Sequence, residues 1–154
     1  LDTRKTTPTL RVLEKYAVVC GGGQNHRMGL YDRIMLKDNH LAQWRRHHGG
    51  DLADMVRSAR CRFPDLDIEV EVDTVEDCRQ VHLAKPEWIL LDNMDETALR
   101  RCVELCGGRC KLEASGGITL ETIRRVAATG VDAISVGALT HSVRSVDLSL
   151  EMEG

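Results

Sequence analysis

Short apolar runs alternate with amphipathic runs along the whole chain, and no other feature of the sequence limits the fold so strongly. The runs RIMLK (33–37), DIEVEV (67–72), WILL (88–91), 111–114 and AISV (133–136) read as strands. Between them, 9–20, 52–62, 75–84, 96–106 and 120–128 carry helix-like spacing. In 52–62, for example, Leu52, Met55, Val56 and Ala59 share one face. Gly21-Gly22-Gly23 ends the first helix, and Thr119 is the expected N-cap of the last. Residues 1–3 read as the tail of a further strand, and 147–152 is ambiguous. Such alternation implies a mostly parallel sheet with right-handed crossovers.

Alternation alone does not separate a closed barrel from an open doubly wound sheet. The strand ends favour a barrel. Polar residues recur there: Arg4 and Lys5, Lys37, Glu71, Asp92, Ser115, then Gly137. In a β/α barrel those ends converge on one face, whereas an open sheet would spread them along a line.

Bulk properties narrow the function classes. The 154 residues suffice for one domain with a core, and 42% hydrophobic content excludes disorder. The net charge of −3, with signs interspersed, gives no broad basic field, so no nucleic-acid or anionic-membrane partner is expected. No apolar run approaches the roughly 20 residues that span a bilayer. Most of the six cysteines sit in regular-looking segments among apolar neighbours, without a secreted-type framework, which fits a reducing cytoplasm. Cys102, Cys106 and Cys110 recur every fourth residue, but Gly107-Gly108 interrupts the helix and no CxxC pair exists; they read as small buried hydrophobes rather than metal ligands. The start at Leu1-Asp2, directly before a charged motif, reads as a cut chain with an upstream segment missing.

Four groups of residues carry chemistry. Arg4-Lys5 follows a strand end, with Pro8 placed to start a helix. His26-Arg27 and Lys37 add a proton-handling ring, a planar fork suited to carboxylate or phosphate, and a lysine at the end of an apolar strand. Brought together, these groups would repel one another without a polyanionic ligand. Glu71 and Asp92 at neighbouring strand ends suggest a divalent metal such as Mg²⁺, held between protein and phosphate oxygens; the plainer reading of Glu71 is a surface acid flanked by Glu69 and Asp73. Ser115-Gly116-Gly117 before a helix, paired with Gly137 at the next strand end, makes a phosphate cradle.

The strings TRKTTP (3–8), GGGQNHRMGLYDRIMLKDNH (21–40), EVEV (69–72), LLDN (90–93), EASGGI (113–118) and ISVGALTHS (134–142) resemble the catalytic domain of the quinolinate phosphoribosyltransferase family. NHR-x-GLYD and LKDNH are specific; SGGI is shared by many barrels. The resemblance implies an α/β fold, an incomplete TIM-like β/α barrel, with residues 1–154 as a single catalytic domain and the family's N-terminal domain absent. It implies transfer of phosphoribose from 5-phosphoribosyl 1-pyrophosphate to quinolinate, with loss of carbon dioxide, to give nicotinate mononucleotide in NAD biosynthesis. By resemblance, Arg4, Arg27 and Lys37 bind the two carboxylates with His26 beside them, and Lys5 lies near the pyrophosphate. Glu71 and Asp92 bind Mg²⁺ and the ribose hydroxyls, and Lys37, Glu71 and Asp92 are the catalytic set. Ser115, Gly116, Gly137 and His141 hold the 5-phosphate. The family works as a homodimer or larger assembly and borrows an arginine from a neighbouring subunit; this chain has no counterpart to it. Three other readings compete: a paralogue with a different acceptor, an unrelated aldolase or isomerase using Lys37 as a Schiff base, and a non-catalytic binding module.

Overall fold

The computed structural model describes residues 1–152. Five parallel strands form one sheet in sequence order: β1 (Ile34–Leu36), β2 (Ile68–Val72), β3 (Trp88–Asp92), β4 (Lys111–Ser115) and β5 (Ala133–Ile134). The helices are α1 (Arg11–Cys20), α2 (Asp38–His48), α3 (Leu52–Arg62), α4 (Val75–His82), α5 (Glu96–Cys106), α6 (Ile123–Ala127) and α7 (Ala138–His141).

Local chemistry sets the boundaries. Asp51, Thr74 and Asp95 each cap a helix, accepting from Ala53, Asp77 and Ala98 N–H respectively. α5 ends at Gly107, which takes the left-handed conformation at φ 52°. Thr119 is not an N-cap, contrary to the sequence expectation. Its carbonyl accepts from Thr122 and Ile123 N–H, and α6 starts late, after Thr122. α2 was not foreseen: its sequence DNHLAQWRRHH buries Leu41 alone, so it lacks an apolar stripe. The last strand is shorter than expected, and α1 begins at Arg11.

The two faces of the sheet divide the labour. Ile68, Val70, Val72, Ile89, Leu91, Leu112 and Ala114 face outward into a core shared with Leu52 and Val56 of α3, Cys78 and Val81 of α4, and Leu99, Cys102 and Cys106 of α5. The alternate positions, among them Glu69, Glu71, Leu90, Asp92, Glu113 and Ser115, therefore point into the barrel.

Residues 1–3 form no assigned strand yet act as one. The Leu1 amino group donates to Ile134 O (2.5 Å), and Val136 N–H donates to Leu1 O (3.0 Å). Asp2 N–H in turn donates to Gln24 O (3.1 Å), bringing in the 24–27 segment. The gap back to β1 is bridged by a side chain, the Arg27 guanidinium on Arg33 O (3.2 Å). The result is an incomplete TIM-like barrel with its strand C-terminal ends on one face.

Candidate active site

That face holds a cavity of about 320 Å³. Its walls include Arg4, Lys5, His26, Arg27, Lys37, Glu71, Asp92 and Ser115. Strand geometry explains the convergence: Lys37 follows β1, Glu71 lies one residue before the end of β2, and Asp92 and Ser115 end β3 and β4. Gly116 follows Ser115 in the next turn, Gly137 precedes α7 and His141 ends it, and none of these three lines the cavity.

The turn carrying Arg4 and Lys5 is fastened to α1. Arg11 donates to Thr6 Oγ1 (3.1 Å) and Arg4 O (3.3 Å), and Glu14 accepts from Thr7 N–H (3.2 Å). Arg4 Nε is buried without a hydrogen-bond partner, as a group awaiting an anion is. Lys37 N–H donates to His40 Nδ1 (2.9 Å), which fixes the start of α2.

The cations are less isolated than the sequence implied. Lys37 Nζ pairs with Glu71 Oε2 at 3.1 Å. Burial, and then the charge of Arg4, lower the affinity of Arg27 for its proton. The clustered positive charge is thus partly offset by carboxylates, with Arg4 and Arg27 left facing each other.

Below this layer lies one that the sequence reading missed. His26 Nδ1 accepts from Arg27 N–H (2.8 Å), which assigns the ring proton to Nε2. Nε2 lies 3.1 Å from Glu69 Oε2 and 3.6 Å from Glu113 Oε2. Both carboxylates are fully buried. Glu69 also receives Arg33 (3.2 Å), and Glu113 accepts from the Ser135 hydroxyl (2.5 Å). Burial pushes the Glu69 carboxyl up, but the His26 hydrogen bond and then Arg33 outweigh it and hold it below its ordinary value. For Glu113, burial and then the charge of Glu69 push the carboxyl above it. The signal was present in EVEV and EASGGI. In a surface sheet the polar alternates face water; in a barrel they face the interior.

The model for the quinolinate phosphoribosyl transferase C-terminal domain matches residues 1–151. The chain belongs to this family. It is 47% identical over 152 residues to the probable nicotinate-nucleotide pyrophosphorylase [carboxylating] of Bacillus subtilis, covering 98% of this chain and 51% of that protein. It is 46% identical to the corresponding Mycobacterium leprae protein, covering 98% and 52%. The crystal structure of NadC from Streptococcus pyogenes superposes with a TM-score of 0.90 at 42% identity, over 98% of this chain and 52% of that one. The chain therefore spans about half the length of these family members. Among the described residues, no helix is long and apolar enough to cross a membrane.

Proposed function

We propose that this domain transfers phosphoribose from 5-phosphoribosyl 1-pyrophosphate to the ring nitrogen of quinolinate, with decarboxylation to nicotinate mononucleotide. One observation carries the reading: Arg4, Arg27 and Lys37 meet in a single cavity that Glu71, Asp92 and Ser115 also line. Three cations suit a dicarboxylate, which a single carboxylate would not require.

Arg4, Arg27 and Lys37 grip the two carboxylates and set the ring nitrogen against the anomeric carbon, with His26 beside them. Lys5, on the turn that follows Arg4, neutralises the departing pyrophosphate. Glu71 and Asp92 contact the ribose hydroxyls and stabilise the cationic sugar. Both are hard oxygen donors lining one cavity, so they fit Mg²⁺ shared with phosphate oxygens. The ion, when bound, offsets charge on the leaving group. Ser115, Gly116, Gly137 and His141 receive the 5-phosphate. The active form is a cytoplasmic homodimer or larger homo-oligomer in which a neighbouring subunit supplies a further arginine.

Isothermal titration with quinolinate and with nicotinate tests the acceptor. The dicarboxylate binds and the monocarboxylate binds far more weakly, and Lys37→Ala weakens quinolinate at least ~10-fold, the loss of one charge-assisted contact. Equal affinity for the two would overturn the assignment in favour of a different acceptor.

A further inference from the structure

Glu69 is fully buried and does not line the cavity. We propose that this residue nevertheless sets the affinity of the site for its acceptor, by holding Arg27 in place. This rests on the function proposed above and adds a positioning residue to it.

Arg27 is anchored at both ends. Its backbone N–H donates to His26 Nδ1 (2.8 Å). Its guanidinium donates to Arg33 O (3.2 Å) and Met35 Sδ (3.1 Å). The side chains of His26 and Arg33 in turn converge on Glu69: His26 Nε2 lies 3.1 Å from Oε2, and the Arg33 guanidinium 3.2 Å from the same oxygen. The contacts close a ring that runs from Arg27 to His26, Glu69, Arg33 and back to Arg27. Glu69 is its fixed member. It stands on the inner face of β2, opposite Trp88 of β3, and Arg33 stacks over that Trp88 ring at 5.1 Å. The ring of contacts is thereby tied to the sheet rather than to loops, which is what precise placement of a binding group requires.

Both ring nitrogens of His26 are taken up in this way, so His26 too acts through Arg27. A planar guanidinium recognises a carboxylate through paired N–H groups at a fixed angle. Misplacing such a group by about 1 Å can cost on the order of 10²-fold in activity. Stability alone does not account for the arrangement, because apolar side chains can often replace a buried ion pair without net loss. The charge of Glu69 and its anchoring act in opposite directions. A carboxylate behind the site repels a dianionic acceptor, so removing the charge alone tightens binding. Removing the anchor loosens it. The sign of the change therefore separates the two.

Three variants of the whole chain test this by calorimetric titration with quinolinate and, separately, with 5-phosphoribosyl 1-pyrophosphate. Glu69→Leu has no acceptor for either donor. Its Kd for quinolinate rises at least ~10-fold, the loss of one well-placed charge-assisted contact, while its Kd for 5-phosphoribosyl 1-pyrophosphate stays within about threefold. Glu69→Gln removes the same charge but keeps an acceptor oxygen, and recovers most of the affinity. Glu69→Asp keeps the charge but draws it back from both donors, and quinolinate weakens by at least about threefold. A second readout needs no ligand: the ¹⁵N–¹H guanidinium signal of Arg27, identified by its loss in Arg27→Lys, is resolved in the wild type and averaged away in Glu69→Leu. A folded Glu69→Leu that binds quinolinate as tightly as the wild type, or that weakens both substrates alike, overturns the proposal. If Glu69→Leu fails to fold, Glu69→Asp decides it, and unchanged quinolinate affinity there overturns it. A wild type that binds no quinolinate overturns the acceptor assignment instead. The Arg27 signal then decides whether Glu69 holds Arg27, and a signal unaltered by the substitution overturns that as well.

Discussion

Lys15 Nζ lies 2.6 Å from Asp2 Oδ1, and neither side chain has any exposed surface. The pair reaches from α1 to the strand-like segment 1–3. It also holds the third partner of the barrel seam: Asp2 Oδ1 accepts His26 N–H (2.7 Å), and Lys15 donates to His26 O (3.0 Å). The backbone that aims His26 and Arg27 thus hangs on one buried ion pair. Lys15→Met leaves Asp2 charged and uncompensated. A loss of ~3–5 kcal/mol is expected in urea unfolding. The double variant Asp2→Asn/Lys15→Met recovers part of it, since it buries no lone charge. A Lys15→Met loss below about 1 kcal/mol would show that water reaches the pair.

Glu87 offers a cleaner test of linkage, because it lies away from the cavity. Burial raises its carboxyl, but hydrogen bonds from Arg60 (2.7 Å) and Ile68 N–H (2.8 Å) prevail, so its value in the folded state is lowered. A lowered carboxyl adds stability above its ordinary value, and that stability disappears as pH falls through the folded value. Glu87→Gln is therefore expected to flatten the acid limb of the stability curve. The loss at neutral pH is under about 1 kcal/mol, because the pair is partly solvated. An unchanged acid limb would mean that the bond to Arg60 does not persist in solution.

Much of this arrangement was legible in the sequence. α3 and α5 run over the residues their periodicity predicts, because each has a capping Asp and an apolar stripe, and α5 adds a glycine stop. The polar strand ends from Arg4 to Ser115 do meet in one cavity, since a parallel barrel brings them together whatever the loops do; Gly137 is not part of its lining. What escaped was the polar interior. Glu69 reads as a flanking surface acid, yet its exposure is 0%. Alternation states which residues share a face; it does not state which face is inside. Ion pairs between distant segments, such as Asp2 with Lys15, leave no local pattern at all.

The cysteines divide by environment. Cys20 and Cys61 are exposed, whereas Cys78, Cys102, Cys106 and Cys110 are buried. Cys78 Sγ lies 3.8 Å from Cys106 Sγ, between α4 and α5 in the outer core. A thiol reagent should label two cysteines within seconds to minutes in the native protein. The other four should react only as fast as the core opens, and faster in dilute denaturant. Rapid labelling of more than two would contradict the packing of α4 against α5.

Two glycines of the proposed phosphate cradle separate folding from binding. Gly116 has φ +97°, and a Cβ there would press on the Asn93 side chain and approach its backbone nitrogen to 2.9 Å. Asn93 is itself fixed, with its N–H on Ser115 O (2.9 Å). Backbone cannot yield as a side-chain tip can, so Gly116→Ala should cost at least ~2 kcal/mol through strain and overlap. Gly137 has φ −59°, which any residue adopts. A Cβ there meets only the imidazole of His141, the far end of a side chain that can turn away. Gly137→Ala should leave stability within about 1 kcal/mol of wild type. It should nevertheless displace His141, and KM for 5-phosphoribosyl 1-pyrophosphate should rise about 10-fold, as one charge-assisted contact is lost. His141→Ala should match that rise. If neither variant moves KM, the 5-phosphate does not rest on the α7 side of the cradle, and Ser115 with Gly116 must carry it.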